Sequence, residues 1–217
     1  MRNSKFCHLH LHGEHSYLDG MGTSKQYAER AKELKFTHLA LTNHGNIDGL
    51  IQFQKACEDN GVKPILGCEM YIVPKIMEKN KGEYRGHITI LVKNKEGWKS
   101  LCNMLTKANI EGFYYKPRID YDMLLSSNLS GLIILTGCSK SFTHNEFGEA
   151  FLWNLIEETK NVYIEIMPHI LNDDIIKKYN IKYPSKNYNK QLIELSEKYG
   201  LKMCVTNDVH YVNKEDC

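Results

Sequence analysis

His10 and His12 stand two residues apart in the stretch HLHLH (8–12). On a strand that spacing turns both imidazoles to one face. The same spacing returns near the other end of the sequence, where Asp208 and His210 follow CVTN. Between these pairs, further chelating residues close short apolar runs. His44 ends HLALTNH (38–44), Glu69 follows ILGC inside KPILGCEMYIV (63–73), and Cys138 ends GLIILTGC (131–138). His87 opens its run, HITILVKN (87–94), and Asp19 sits in the loop after the first run. Imidazole, thiolate and carboxylate are the ligand set of zinc and its neighbours. A carboxylate such as Glu69 can bridge two ions. Metals about 3.5–4 Å apart suit phosphoester cleavage, because they activate water and clamp the attacking and leaving oxygens. One HxH alone is a weak signal. Two such pairs, with three further ligand types at the ends of apolar runs, are hard to assign to packing, since an unpaired buried carboxylate is costly.

Something must hold these residues at one place. Apolar runs at 8–12, 38–44, 63–73, 87–94, 131–138, 161–169 and 202–210 read as strands. Amphipathic stretches at 24–35, 48–61, 96–109, 145–159 and 188–200 read as helices, the first with an N-cap Ser or Thr and the second ending at a glycine. Alternation of near-continuous apolar strands with helices predicts parallel strands covered by helices. Seven such units point to a closed (β/α) barrel whose chemistry sits at the C-terminal ends of its strands. An open doubly wound sheet is the alternative, weakened by the lack of GxGxxG after the first strand. The polar segment 74–86 reads as a mobile loop.

The chain of 217 residues reads as a single domain, 1–217, with ordinary contents of hydrophobic (42%) and charged (25%) residues. No apolar stretch is long enough to span a membrane, and the N-terminus lacks the apolar core of a signal peptide, so a cytoplasmic protein without a membrane partner is expected. Seven cysteines without a CxxC pair read as reduced thiols rather than a disulfide framework. A net charge of +2 neither demands nor excludes nucleic acid.

The segments FCHLHLHGEHSYLDG, LALTNHGNIDGLIQFQKACEDNGVKPILGCEMYIVP, GLIILTGC and VTNDVHYVNKEDC together resemble the PHP (polymerase and histidinol phosphatase) family. LCNMLTKANIEGFYYKPRID is similar to the branch found at the N-terminus of bacterial DNA polymerase III alpha subunits. The resemblance covers nearly the whole chain and implies the PHP fold, a distorted (β/α)7-type barrel, with nine ligands for three divalent ions. It implies His10, His12, Glu69 and Asp208 for one ion, Glu69, His87 and Cys138 for the second, and Asp19, His44 and His210 for the third. Zinc is favoured by Cys138, and manganese or iron would also be accepted. Some polymerase members have lost several ligands and keep the domain as a scaffold, whereas all nine positions here carry a competent one.

The activity implied is 3′-5′ exonuclease cleavage of DNA, with Glu69, Asp208 and His12 as catalytic candidates. His169, Lys116 and Arg118 are candidates for gripping phosphate, with a fold-stabilising role for Arg118 weighed equally. The partners implied are a DNA 3′ end and the remainder of a replicative polymerase. A histidinol-phosphatase-like phosphomonoesterase and a non-catalytic, metal-stabilised scaffold are the alternatives. No palm-type polymerase carboxylates are read in 1–217, so no DNA synthesis is expected of this chain by itself. One departure from the family pattern stands at Asn43, where TDHG is usual and this chain has TNHG.

Overall fold

Thr23 starts the first helix of the computed structural model, which describes residues 6–79, 84–144, 146–168 and 185–216. Its side chain accepts the Gln26 amide at 3.3 Å while the Gln26 side chain accepts the Thr23 amide at 2.9 Å, a reciprocal capping box. The helix, α1 (Ser24–Glu33), leads into β1 (His38–Leu41) and α2 (Leu50–Asp59). Then follow β2 (Lys63–Val73), β3 (Gly86–Val92), α3 (Lys95–Ile110), β4 (Arg118–Asp120) and α4 (Tyr121–Leu125). The chain continues through β5 (Leu132–Leu135), α5 (Gly148–Glu158), β6 (Val162–Ile166), α6 (Ser185–Tyr199) and β7 (Lys202–Val205). Apart from the segment 8–12, the expected helices and strands recur with ends moved by a few residues. The short β4 and α4 lack a periodic signal and were not anticipated.

The strands form one mixed, curled sheet in the order β1-β2-β3-β5-β6-β7, with β4 on the far end of β2. The parallel expectation holds for β1/β2, β5/β6 and β6/β7 but fails at β3, which runs antiparallel to both β2 and β5. Parallel neighbours need a crossover, usually a helix. The described residues of the β2–β3 connection contain no helix, and β3 returns antiparallel to β2. That reversal brings the first residues of β3 to the rim where β1 ends.

The segment 8–12 is not a regular strand. It makes one bridge, Leu11 to Val209, and its backbone ties two edges together. Ala40 N–H and Thr42 N–H donate to the His8 and Leu11 carbonyls at 2.9 Å, while His12 N–H donates to the Val209 carbonyl at 2.8 Å. The β1 side and the stretch after β7 therefore meet across the N-terminal segment.

Fully buried Ile88, Ile90, Leu132, Ile134 and Ile164 pack against α3 and α5, while Leu11, Leu39, Leu41 and Phe53 form a second core under α1 and α2. Each such side chain is worth about 1.5–3 kcal/mol on burial. Of the segment read as a mobile loop, 80–83 lie outside the described residues and the flanks are anchored. Ile76 N–H donates to Asp120 and Tyr84 Oη donates to the Ser141 carbonyl. The six described cysteines are free thiols. No described helix is long and apolar enough to cross a membrane.

Candidate metal centre

β2 carries Glu69 into the interior, where the side chain is 0% exposed. Four imidazoles surround its carboxylate. Oε1 lies 2.9 Å from His87 Nδ1 and 3.3 Å from His10 Nε2, and Oε2 lies 2.7 Å from His44 Nδ1 and 3.3 Å from His12 Nε2. Burial pushes the Glu69 carboxyl up, but His87, His10 and His44 outweigh it and hold it well below the usual carboxylate range. His87 reaches this point because β3 is reversed, which is why a histidine that opens its run joins ligands that close theirs.

Asp208 adopts left-handed backbone, φ +48°, a conformation that recurs at functional sites in non-glycine residues. Its Oδ1 stands 3.3 Å from His10 Nε2 and 3.2 Å from both His12 Nε2 and His210 Nε2. Asp19 Oδ2 is 3.3 Å from His44 Nε2 and from His210 Nδ1. Cys138 Sγ is 3.3 Å from His87 Nδ1, and Tyr188 Oη fixes its loop by donating to the Cys138 carbonyl at 2.9 Å. Burial, reinforced by Glu69 and Asp208, pushes the Cys138 thiol well up, so without a cation it stays protonated.

All nine sequence-derived ligand candidates thus meet in one cluster. Its ligand atoms form three groups within 4.8 Å: His10, His12, Glu69 and Asp208; His12, Asp19 and His44; and His44, Glu69 and His87. The first group is the set the resemblance implies for one ion. The other two pair Glu69 with His87 and Asp19 with His44 as expected. Cys138 and His210 lie at their margins.

The cluster fits cations. His10 Nε2, His12 Nε2, His44 Nδ1 and Glu69 Oε2 are buried and crowd together at 2.7–3.3 Å from charged neighbours without forming a well-directed hydrogen bond, and all four face its centre. Each orphaned buried polar atom costs about 1–3 kcal/mol. Divalent ions in the three groups would answer all four, and the N/O/S donor set is one such ions accept.

Sequence reasoning missed the groups that orient these ligands. Glu165 on β6 is fully buried. Its Oε1 accepts from His10 Nδ1 at 2.8 Å and Thr206 Oγ1 at 2.6 Å, and its Oε2 from Gly137 N–H at 3.0 Å. With its Nδ1 proton held there, His10 turns the Nε2 lone pair to the cluster. The available signal was an acid in the middle of the apolar run VYIEI. Glu165→Gln is expected to weaken metal binding 10- to 100-fold, roughly the usual cost of losing such a partner. A chelator-competition titration checks this, and an unchanged affinity would show that Glu165 only packs. Ser16 does the same for His12, with Oγ 3.1 Å from His12 Nδ1 and donating to Asp19 at 3.1 Å.

Asn43 explains its own departure from the family pattern. The buried side chain accepts from Gly13 N–H at 2.9 Å and donates to the Asp48 carbonyl at 3.1 Å. It clasps two loops that carry ligands, and an ionised aspartate has no proton for the second bond.

The substrate candidates separate. Arg118 is 0% exposed and donates to the carbonyls of Gly112 at 3.0 Å, Glu78 at 3.1 Å and Ile76 at 2.8 Å. A guanidinium committed to three carbonyls in the interior does not reach a phosphate, so the fold-stabilising role stands. Lys116 is exposed, with Nζ 5.6 Å from the centre of the Tyr71 ring, which stacks on His44 at 5.5 Å. His169 lies outside the described residues. His8 packs its ring edge-on against Phe6 and Phe36, in line with a packing role.

Comparison with known proteins follows the same lines. The family model described as "PHP domain" matches residues 8–176. DNA polymerase III subunit alpha of Treponema pallidum (strain Nichols) is 35% identical over 100% of this chain, and that of Aquifex aeolicus (strain VF5) 36% identical over 97%. The chain spans about a fifth of these relatives, 18% and 19% of their lengths. Among solved structures, a protein assigned as a metal-dependent phosphoesterase from Bifidobacterium adolescentis superposes with a TM-score of 0.62 at 12% identity, over 96% of this chain and 88% of that one. An amidohydrolase from Chromobacterium violaceum gives 0.60 at 13%, over 94% and 87%. At such identities the likeness is one of fold.

Proposed function

The chain belongs to the PHP domain family, and from that premise we propose that it is a metal-dependent phosphodiesterase that removes nucleotides from the 3′ end of DNA, working as the proofreading part of a replicative polymerase in the cytoplasm. The observation that carries the reading is the cluster of seven grouped ligand candidates, with Cys138 and His210 at its margins and four buried ligand atoms turned to its centre. The similarity to polymerase III alpha subunits directs the chemistry to DNA rather than to a small ester.

In this reading His10, His12, Glu69 and Asp208 hold one ion, Glu69, His87 and Cys138 a second, and Asp19, His44 and His210 a third. Zinc suits the imidazoles and the thiol, while manganese and iron suit the oxygens. Bound there, the ions supply the charge that polarises a phosphoryl oxygen and activates water. The protein supplies shape and orientation. His10, His12 and Glu69, with side chains 0% exposed, form a closed floor. Asp19, His44, Asp208 and His210, at 20–31%, form the rim a phosphodiester meets first. Asp208 joins floor to rim by touching both His12 and His210.

The test is release of a labelled, mismatched 3′ nucleotide from a primer by metal-loaded protein, beside an Asp208→Asn variant and a small phosphomonoester. Release by the parent, at least about a thousandfold slower in the variant (roughly 4 kcal/mol of barrier), is expected. Cleavage of the monoester alone would make the protein a phosphatase. Cleavage of neither by fully loaded protein would leave a metal-stabilised scaffold.

A further inference from the structure

Residues 112–117 form a tight hairpin, with Tyr114 N–H donating to the Lys116 carbonyl at 3.1 Å. Tyr115 at its tip holds left-handed backbone, φ +59°, and is 72% exposed. A bulky aromatic at positive φ is a true outlier, and glycine is the residue such a turn ordinarily takes. Burial does not repay that strain, because the ring faces solvent and touches Tyr114 edge-on at 4.7 Å. Strain kept at an exposed residue points to use.

The hairpin is seated beside the metal-ligand cluster. A Cβ on Gly45, next to His44, would stand 2.9 Å from Pro117 and 3.2 Å from Tyr71. Tyr71 stacks on His44 and meets His87 edge-on at 5.2 Å, and Lys116 Nζ lies over its ring. Arg85 is half-buried two residues before His87. His87 pairs with Tyr71 across β2 and β3, so Arg85, two residues earlier, emerges at the same end of the sheet. Among the described residues neither Lys116 nor Arg85 has a carboxylate at ion-pair distance. An exposed, strained aromatic ring one residue from an unneutralised lysine, at a rim that Arg85 also reaches, has the composition of a single-strand subsite, in which bases stack and phosphates are held by charge.

We propose that the 112–117 hairpin and Arg85 form a subsite for one nucleotide of a single-stranded polynucleotide, its base stacked on Tyr115 and its phosphate held by Lys116 and Arg85, adjoining the diester at the metal-ligand cluster. The subsite deepens the phosphodiesterase reading and rests on it. It makes the protein favour a single-stranded polynucleotide over small diesters.

The test compares the parent with Tyr115→Gly, Tyr115→Trp and Lys116→Gln on a single-stranded oligonucleotide and on bis(p-nitrophenyl) phosphate. Tyr115→Gly is expected to raise KM for the oligonucleotide about tenfold, the usual effect of losing one stacked base. It leaves kcat and the small diester unchanged and keeps or raises Tm, because the strain is relieved. Tyr115→Trp retains the parent KM. Lys116→Gln lowers the slope of log KM against log salt by about 0.7, the share of one phosphate contact on a single strand. Unchanged oligonucleotide KM in Tyr115→Gly and Lys116→Gln, or equal losses on both substrates, would overturn the subsite. If the parent cleaves neither substrate, the phosphodiesterase reading fails on its own. Fluorescence anisotropy with the same oligonucleotide then decides the subsite by whether these variants weaken binding.

Discussion

Glu69→Gln is expected to abolish phosphodiester hydrolysis, with a loss of at least about a thousandfold, roughly 4 kcal/mol, and to lower the number of tightly bound ions. The reason is that one carboxylate faces four imidazoles through two oxygens in a place water does not reach. Glutamine removes the charge and puts an NH₂ donor where a cation or imidazole N–H needs an acceptor. The metal-free variant suffers as well. Burial works against charge on His10, yet Glu69, Glu165 and Asp208 hold its pKa well above the usual histidine value, so protons stand in for metal and Glu69 is their counter-charge. Removing one partner of a buried pair costs about 3–5 kcal/mol. A chain of this length loses about 2–4 °C of Tm per kcal/mol. Glu69→Asp separates the two effects: it keeps the charge, and therefore most of the stability, but draws the carboxylate back by one methylene and still loses activity. Metal content, Tm and hydrolysis measured on both variants check the argument. A Glu69→Gln protein with full metal content and parental rate would remove Glu69 from the centre of the site.

Stripping the metals with a chelator is expected to lower Tm by about 8–16 °C for each site held a thousandfold above its Kd. Such occupancy contributes about 4 kcal/mol through linkage, converted at the same 2–4 °C per kcal/mol. The ligand atoms on His10, His12, His44 and Glu69 are the source, since the chain has folded them into the interior facing one another without well-directed hydrogen bonds. Binding also competes with protons. Burial opposes charge on His210, but Asp19 and Asp208 outweigh it and hold its pKa up at about 10. That proton leaves as a cation enters, so affinity falls as pH is lowered. Calorimetric melts of loaded, stripped and reloaded protein, at two pH values, measure both effects. Identical melting of loaded and stripped protein would mean that the cluster holds no structural metal.

Much of this architecture could be read from residue order alone. β2 appears at the residues its apolar run marks, Lys63–Val73, because a long run bounded by Gly and Pro has one reading. His10, His12, Asp208 and His210 were found from their spacing, although neither pair lies on a regular strand: 8–12 makes a single bridge, and Asp208 follows β7 in left-handed backbone. Strand direction was not legible: an apolar run reads the same both ways, and only the connection to β2 reverses β3 and turns His87 into the cluster. β4, three residues long, carries no period.

The fate of charged side chains was the least legible. Arg118 and Lys116 stand two residues apart in one polar segment. One is locked by carbonyls up to 42 residues distant and the other faces solvent beside Tyr71. Glu165 meets His10 across 155 residues. Residue order was enough to name the candidate ligands and the apolar runs beside them, because side-chain chemistry and spacing are local. Only the tertiary structure decided which groups orient the ligands and which cations stay free, because hydrogen bonds of that kind are closed by partners that no local pattern can name.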